Sequence, residues 1–280
     1  IRAQMIKDEK LFKDLDLSSL RMICTGGEPW TEKPWKWLFQ VIGKSKVPIM
    51  NSAGGTEVSG SILHCCLHRP FKVGSFNAPI PGMSADILNL DGQKVSTNEM
   101  GELVMRKSSI GLTKSLWNDD KRYIDNYWSV IKDYWVHGDL ASRDADGHWY
   151  LHGRSDDTIK VSGKRIGPSE LESVIVKSGK AKEVAAVGIP DANKGSKIIL
   201  SIVPAENNDQ KESFFEDLVI KDLGKSFKPD KVIFVKDLPK TRNMKIMRRV
   251  IKSCLANQDP GDLSTLLNPE SVEEIRSHAI

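Results

Sequence analysis

Lys245 sits in the stretch LPKTRNMKIMRR with four other cations close by, Lys240, Arg242, Arg248 and Arg249. Such a run can be a patch for polyanions, a solvated helix face, or a loop that carries one ammonium group to a reaction centre. Asp139 follows Gly138 at a strand end, where two carboxylate oxygens match the paired donors of a vicinal diol. Arg154 offers a planar fork of donors that suits a multi-oxygen target better than an ammonium does. Thr56 and Glu57 close the small-residue stretch NSAGGTE. Each has an ordinary alternative: an Asp satisfying a turn, an Arg paired with Asp156 or Asp157, a glycine-rich link from strand to helix.

Composition narrows the class. The chain has 280 residues, 39% hydrophobic and 28% charged, the balance of a folding globular protein with room for two domains. A net charge of +4 from 41 basic and 37 acidic side chains is too mixed for a general polyanion binder. Nucleic-acid binding is set aside, because the basic run is neither interleaved with aromatics nor laid along a groove. No apolar run approaches the ~20 residues that span a bilayer, and the start lacks a signal-peptide core, so no membrane partner and a cytoplasmic location are expected. Cys24, Cys65, Cys66 and Cys254 form neither a disulfide framework nor a zinc pattern; adjacent cysteines in HCCLH chelate one ion poorly. The chain begins with Ile, in what reads as a helix over residues 1–20, and is expected to be a fragment or a processed product.

Several elements must hold these residues. RMICTGGEPW reads as a strand over 22–25, broken by Gly26 and Gly27 before a helix that Glu28 and Pro29 open. KVPIMNSAGGTEVSG repeats the pattern, with a strand over 47–50 and a turn over 51–55. Strands ending in such turns are where open α/β sheets place ligands. Over 73–105, turn signals PIPG, LDGQ and NEMGE separate short strands, predicting a small antiparallel sheet or barrel. YWVHGDLASRDADGHWYLHGR predicts a hairpin turning at Asp146-Gly147; DADG lacks the remaining ligands of a calcium loop. Beyond Gly153, Ser169 and Glu172 read as a capping box starting a helix near Glu170. Strands VAAVGIPD, KIILSIVPA and KVIFVKDLP then alternate with helices EDLVIKDLG and IMRRVIKSCLA, an α+β domain of about 120 residues.

GGEP, GGTE, HGDL, GRSDDTIKVSGKRIGPSELE, the Lys245 stretch and the tail GDLSTLLNP occur in one order across the chain. Together they resemble the AMP-forming adenylating enzymes, specifically acyl-CoA synthetases of the acetyl-CoA synthetase kind. The resemblance implies the C-terminal part of a large AMP-binding domain (α/β, a sheet plus a small β-barrel) over 1–155. A compact, mobile α+β lid domain over 156–280 would follow, hinged near Asp156.

The same resemblance implies roles. Asp139 and Arg154 would hold ribose; Thr56 would touch the α-phosphate and Glu57 would bind Mg²⁺. Gly27, Glu28 and Pro29 would flank one face of adenine, and Asn51, Ser52, Ala53 and Gly55 the other. Gly54, where acetate-selective relatives carry tryptophan, would leave the acyl pocket open to larger acids. Ser162 and Gly163 would approach CoA, and Arg165 the ATP phosphates. Lys245 would stabilise charge as a carboxylate attacks the α-phosphate. The usual Ser-Gly before that lysine is here Asn243-Met244, and methionine narrows the allowed backbone.

The implied activity is ATP- and Mg²⁺-dependent acyl-CoA ligation of a short- or medium-chain carboxylic acid through acyl-AMP. Alternatives are another acyl acceptor, or an inactive nucleotide-binding fragment. The family's phosphate-cradling loop is absent from residues 1–60, so a missing N-terminal portion is an expected partner. Acylation of Lys245 by an acyltransferase, reversed by a deacylase, would remove its charge and stop adenylation.

Overall fold

The computed structural model describes residues 12, 15–27, 30, 32–206, 209 and 211–280. Most of the helix expected over residues 1–20 lies outside these, as do Glu28 and Pro29. The chain divides into two compact units, Ile1–Ser155 and Asp156–Ile280.

The first unit carries two sheets. In one, β1 (Ile23–Gly26) runs parallel to β2 (Ile49–Gly55), and β3 (Gly60–His64) and β4 (Ala78–Pro79) continue antiparallel. Between the parallel strands, α1 (Glu32–Trp37) buries Trp35 against Leu38 and Ile49. The second sheet is β5 (Ala85–Leu88), β6 (Gly101–Met105), β7 (Trp135–Arg143) and β8 (Trp149–Arg154), all antiparallel. Its strands pair in sequence order without β5 meeting β8, so the expected barrel is an open sheet among the described residues. The apolar body beneath it joins Val58, Ile62 and Leu63 to Leu103, Met105, Trp135 and Trp149. A short helix, α2 (Asp120–Tyr123), runs on into a wider turn over Ile124–Trp128 and brings Tyr127 against that body.

Residues 51–55 are strand, not the expected turn. β2 is flanked by β1 through Thr25↔Asn51 and Gly26↔Ser52, and by β3 through Gly55↔Gly60, so its backbone groups are claimed on both sides. The chain turns one step later, in a 3₁₀ turn over Thr56–Val58. Gly54 is needed for that pairing: an added Cβ would overlap the Gly60 carbonyl oxygen and the Ser61 Cα. The missing side chain therefore opens no acyl volume, because the β3 backbone occupies it.

The second unit is a sheet covered on both faces. β11 (Ala181–Asp191) and β12 (Gly195–Pro204) form a long hairpin, and β13 (Lys231–Phe234) lies parallel to β12. Alternation sends Ala186, Ile198, Leu200 and Ile202 towards α3 (Pro168–Lys177) and α4 (Glu212–Leu223). Ala185, Val187, Ile199 and Val203 face α5 (Arg248–Leu255) and α6 (Glu270–Arg276). A hairpin of β9 (Ile159–Val161) and β10 (Lys164–Ile166) precedes α3 and packs its Ile159, Val161 and Ile166 into the first of these cores.

The capping box at α3 is displaced from the expected pair. Pro168 takes the first helical position, and the Glu170 carboxylate accepts the Gly167 N–H at 3.2 Å, so the helix begins about two residues early. Glu172 is thereby released to accept the Ala186 N–H at 2.9 Å and both arms of the Arg248 guanidinium at 2.9 and 2.8 Å.

Gly54→Ala is expected to cost about 2–3 kcal/mol, because two backbones would have to separate to admit one carbon. Urea unfolding measures it; a neutral result would mean that β2 and β3 do not pair as described.

Candidate functional site

In the first unit the site grows from one irregularity. From the turn at Asp146-Gly147 the β7–β8 register starts with Arg143↔Trp149, which continued unbroken would set Asp139 opposite Gly153. A bulge between Leu140 and Ala141 shifts it, so Asp139 pairs with Arg154. Arg154 then lies across the β7 backbone and donates from Nη1 to the His137 carbonyl at 3.0 Å, with the nearer Asp139 oxygen 4.0 Å away. Gly138, at φ +82°, makes this possible, since an added Cβ would stand 2.7 Å from Arg154 Nη2.

Asp139 has a second neighbour that sequence reasoning gave no role. His137, only 6% exposed, places Nε2 3.2 Å from Asp139 Oδ2. Its other ring nitrogen, Nδ1, is buried without a hydrogen-bond partner. The Nε2 edge of the ring faces the carboxylate, so the two side chains brace each other at the strand end. The ring also leans on Trp135, which stacks in turn on Tyr127 at 5.3 Å and 4°.

Tyr127 completes the cluster by donating to Glu57 Oε1 at 2.9 Å. Burial, with the Glu57 carboxylate beside it, pushes the Tyr127 hydroxyl up to about 12. The phenol thus stays a donor across the working pH range. Glu57 is held from its backbone as well, where its carbonyl accepts the Thr113 N–H at 2.7 Å. Only HGDL could have drawn attention to His137, and nothing in the sequence singles out Tyr127.

At the ends of β1 and β2, Gly27 (φ +106°) follows directly on Gly26, the register partner of Ser52. Ser52 donates to the Thr25 carbonyl at 3.2 Å, and Trp30 Nε1 donates to Thr25 Oγ1 at 2.7 Å. These ties align the two strand ends. Ser52, Ala53 and Gly55 remain partly open, whereas Asn51 is buried with its amide reaching the Gly74 carbonyl at 3.4 Å. Asn51 therefore acts as a structural tie and offers no surface to a ligand.

In the second unit Ser162 and Gly163 form the two-residue turn between β9 and β10, at φ +49° and +78°. The Ser162 N–H donates to the Lys194 carbonyl at 2.8 Å, which supports the turn from β12's side. Arg165, opposite Lys160 on β10, is exposed. Asp156, beside Ser155 at the division between units, lines a small cleft with Asp157, Thr158, Arg248 and Lys252.

Lys245 lies on a tight hairpin in which Lys240 bridges Ile246 and the Met244 N–H returns to the Thr241 carbonyl at 2.7 Å. Met244 sits at φ +64°, the left-handed region that favours glycine, so the turn carries local strain at this methionine. Lys245 itself is exposed in a cleft of about 440 Å³ with Arg242, Ser264 and Thr265.

No group of three His, Cys, Asp or Glu side chains among the described residues could cage a metal. Glu57 still fits Mg²⁺, because that ion takes one or two carboxylates and fills its remaining positions with substrate phosphates and water. Lys245 falls in the second unit and the Asp139 cluster in the first.

Two family models match the chain, AMP-binding enzyme over residues 2–117 and AMP-binding enzyme C-terminal domain over residues 170–245. Acetyl-coenzyme A synthetase of Pasteurella multocida is 36% identical over 272 residues, 93% of this chain and 42% of that protein. The chain thus spans about two fifths of the length of the curated relatives it matches. Acetoacetyl-CoA synthetase from Streptomyces lividans shares the fold with a TM-score of 0.83, covering 98% of this chain and 43% of that one at 22% identity. An anthranilate CoA ligase solved with anthranoyl-AMP aligns at TM-score 0.69 and 27% identity, over 83% of this chain and 44% of that one.

Two outcomes are expected. The raised Tyr127 favours the folded state at neutral pH, and that stabilisation is lost as pH rises from the ordinary tyrosine value, about 10, through about 12. Stability measured against pH should therefore fall in that window, and Tyr127→Phe should flatten the fall. Met244→Gly is expected to raise stability by about 0.5–1 kcal/mol and Met244→Ile to lower it, as read by chemical denaturation; the reverse order would exclude the left-handed geometry.

Proposed function

Because the chain belongs to the AMP-binding enzymes, we propose that it is part of an ATP-dependent acyl-CoA ligase acting on a short- or medium-chain carboxylic acid. The observation that carries this reading is the convergence of Asp139, Arg154 and Glu57 around His137 in one unit. Asp139 supplies two oxygens for the ribose hydroxyls, and Arg154 the fork for the adjoining ribose and phosphate oxygens. Gly27, Ser52, Ala53 and Gly55 give adenine a surface made mostly of backbone, and Thr56 directs its hydroxyl to the α-phosphate. Glu57 would hold Mg²⁺, which when bound neutralises phosphate charge.

In the first half-reaction the substrate carboxylate attacks the α-phosphorus of ATP, forming acyl-AMP and releasing pyrophosphate. Lys245 brings a long-stemmed, charged donor to the oxygens on which charge accumulates. The second unit then turns about Asp156 and presents Ser162 and Gly163, where the CoA thiol attacks the acyl carbonyl and AMP leaves. Arg165 serves the ATP phosphates in the first arrangement. The domains in this reading are 1–155 and 156–280, and the phosphate-cradling loop comes from the rest of a longer protein.

Two kinds of support come from outside the site. The solved relative that holds anthranoyl-AMP carries the kind of intermediate this route requires. Curated relatives are acetyl-CoA synthetases. Gly54 carries no weight in choosing the acid, since β3 fills its side-chain space. Exposed Lys245 is also open to a lysine acyltransferase and deacylase, which would switch the first half-reaction through its charge.

Lys245→Gln is expected to reduce carboxylate-dependent pyrophosphate exchange about 10²–10³-fold while leaving CoA transfer from supplied acyl-AMP intact. The assay uses the chain joined to its upstream sequence, with acids from acetate to octanoate. Exchange unchanged by the substitution would remove Lys245 from the chemistry; acyl-AMP formed without thioester would point to another acceptor.

A further inference from the structure

The segment over residues 260–268 is bound through 265–268 to the hairpin that carries Lys245. The Leu267 N–H donates to the Lys240 carbonyl at 2.8 Å, and the Arg242 N–H donates to the Thr265 carbonyl at 3.2 Å. Thr241 bridges Leu266 in antiparallel register between these two bonds. The tail is thus a third strand beside the two arms of the hairpin. Ser264 and Thr265 on the tail line the same cleft as Thr241, Arg242, Asn243 and Lys245.

Each end of the tail is fixed by a side chain, Arg249 at one end and Asn268 at the other. At the near end Arg249, in the first turn of α5, donates from Nη1 to the Pro260 carbonyl and from Nη2 to the Asp262 carbonyl at 2.8 Å. Gly261, at φ +68°, admits the guanidinium, since an added Cβ would stand 2.9 Å from Nη1. At the far end Asn268, 7% exposed, accepts the Lys240 N–H at 3.0 Å. Its amide donates to Asp237 Oδ2 at 2.7 Å and to the Leu238 carbonyl at 2.8 Å.

Lys240 completes this knot. It is 5% exposed, and its ammonium reaches Glu183 on β11 at 2.6 Å and Asp237 beside it. Burial alone would depress the ammonium, but hydrogen bonds from Asp237 and Glu183 outweigh it and hold the group above its ordinary value. A buried charge paired in this way fixes geometry more than it adds net stability. Four residues separate this anchored lysine from exposed Lys245, across a turn that runs through a left-handed methionine.

We infer that the tail is a strap that sets the position of Lys245, with Lys240, Asn268 and Arg249 as its positioning residues. The inference rests on the ligase reading for its catalytic consequence but not for its structural content. Among the described residues' bridges the hairpin has no other backbone neighbour, so without the strap the turn over 242–245 would be held only from its base, through Lys240 and the packing of Ile246. Adenylation depends on that ammonium being in place, whereas CoA transfer uses the turn at Ser162 and Gly163. Loosening the strap therefore separates the two half-reactions.

Amide hydrogen exchange on the 280-residue chain tests the strap directly. Leu267→Pro removes the donor to the Lys240 carbonyl at a half-exposed position, and Arg249→Met releases the other end. Each is expected to lower protection over 240–247 by about tenfold or more while β11 and β12 keep theirs. Unchanged protection over 240–247 in both variants overturns the inference, as does a loss spread equally over the unit. The catalytic comparison uses the chain joined to its upstream sequence. Pyrophosphate exchange should fall about 10–100-fold, as small misplacements of a reacting group do, with thioester formation from supplied acyl-AMP within about twofold. Equal losses in both would make the tail a general support of the fold and overturn the inference. A parent protein that exchanges no pyrophosphate with any acid would defeat the ligase reading alone; amide exchange would still decide the strap.

Discussion

A single missing Cβ governs the Asp139 cluster of the first unit. Gly138 lets the Arg154 guanidinium lie flat across β7, where it meets the His137 carbonyl and comes alongside Asp139. With any side chain at 138 the arginine would be lifted off the strand, and the carboxylate would lose its cationic neighbour. His137, Trp135, Tyr127 and Glu57 are then linked in a chain of ring contacts and hydrogen bonds that runs from β7 to the turn after β2. Each group in that chain is oriented by the next. A site built this way is rigid before any ligand arrives, which is the condition for electrostatic stabilisation without reorganisation.

The second unit poses a different problem, how to hold one exposed ammonium in place. Its sheet is covered on both faces, so the scaffold is stiff. Its candidate residues sit on short turns: Ser162-Gly163 on one, Lys245 on another. The strain at Met244 is local and is tolerated because Lys240, on the buried side of the same hairpin, is tied to Glu183 and Asp237.

Much of this was legible in the residues. Asp146-Gly147 marked the hairpin turn, and VAAVGIPD and KIILSIVPA marked strands. The motifs marked Asp139, Arg154 and Lys245. What sequence could not reveal depends on pairing partners. The bulge at Leu140 is a one-residue choice that decides whether Arg154 or Gly153 faces Asp139. Residues 51–55 look like a turn by composition, yet become strand because β1 and β3 flank them. The same pairing leaves no room at Gly54, which reading the chain alone took for open space. At α3, Gly167 and Glu170 outcompeted Ser169 and Glu172 because Pro168 is best placed at the first helical position, and Glu172 was needed by Arg248.

In the proposed reading Asp139, flanked by His137 and Arg154, grips a ribose. Calorimetric titration of the 280-residue chain with AMP and with 2′-deoxy-AMP tests it most directly, in the parent sequence and in Asp139→Ala. AMP is expected to bind about tenfold or more tightly than its deoxy analogue, as one charge-assisted hydrogen bond would give, and Asp139→Ala to abolish the difference. Equal affinity for the two nucleotides in the parent chain, or discrimination that survives the substitution, would contradict it.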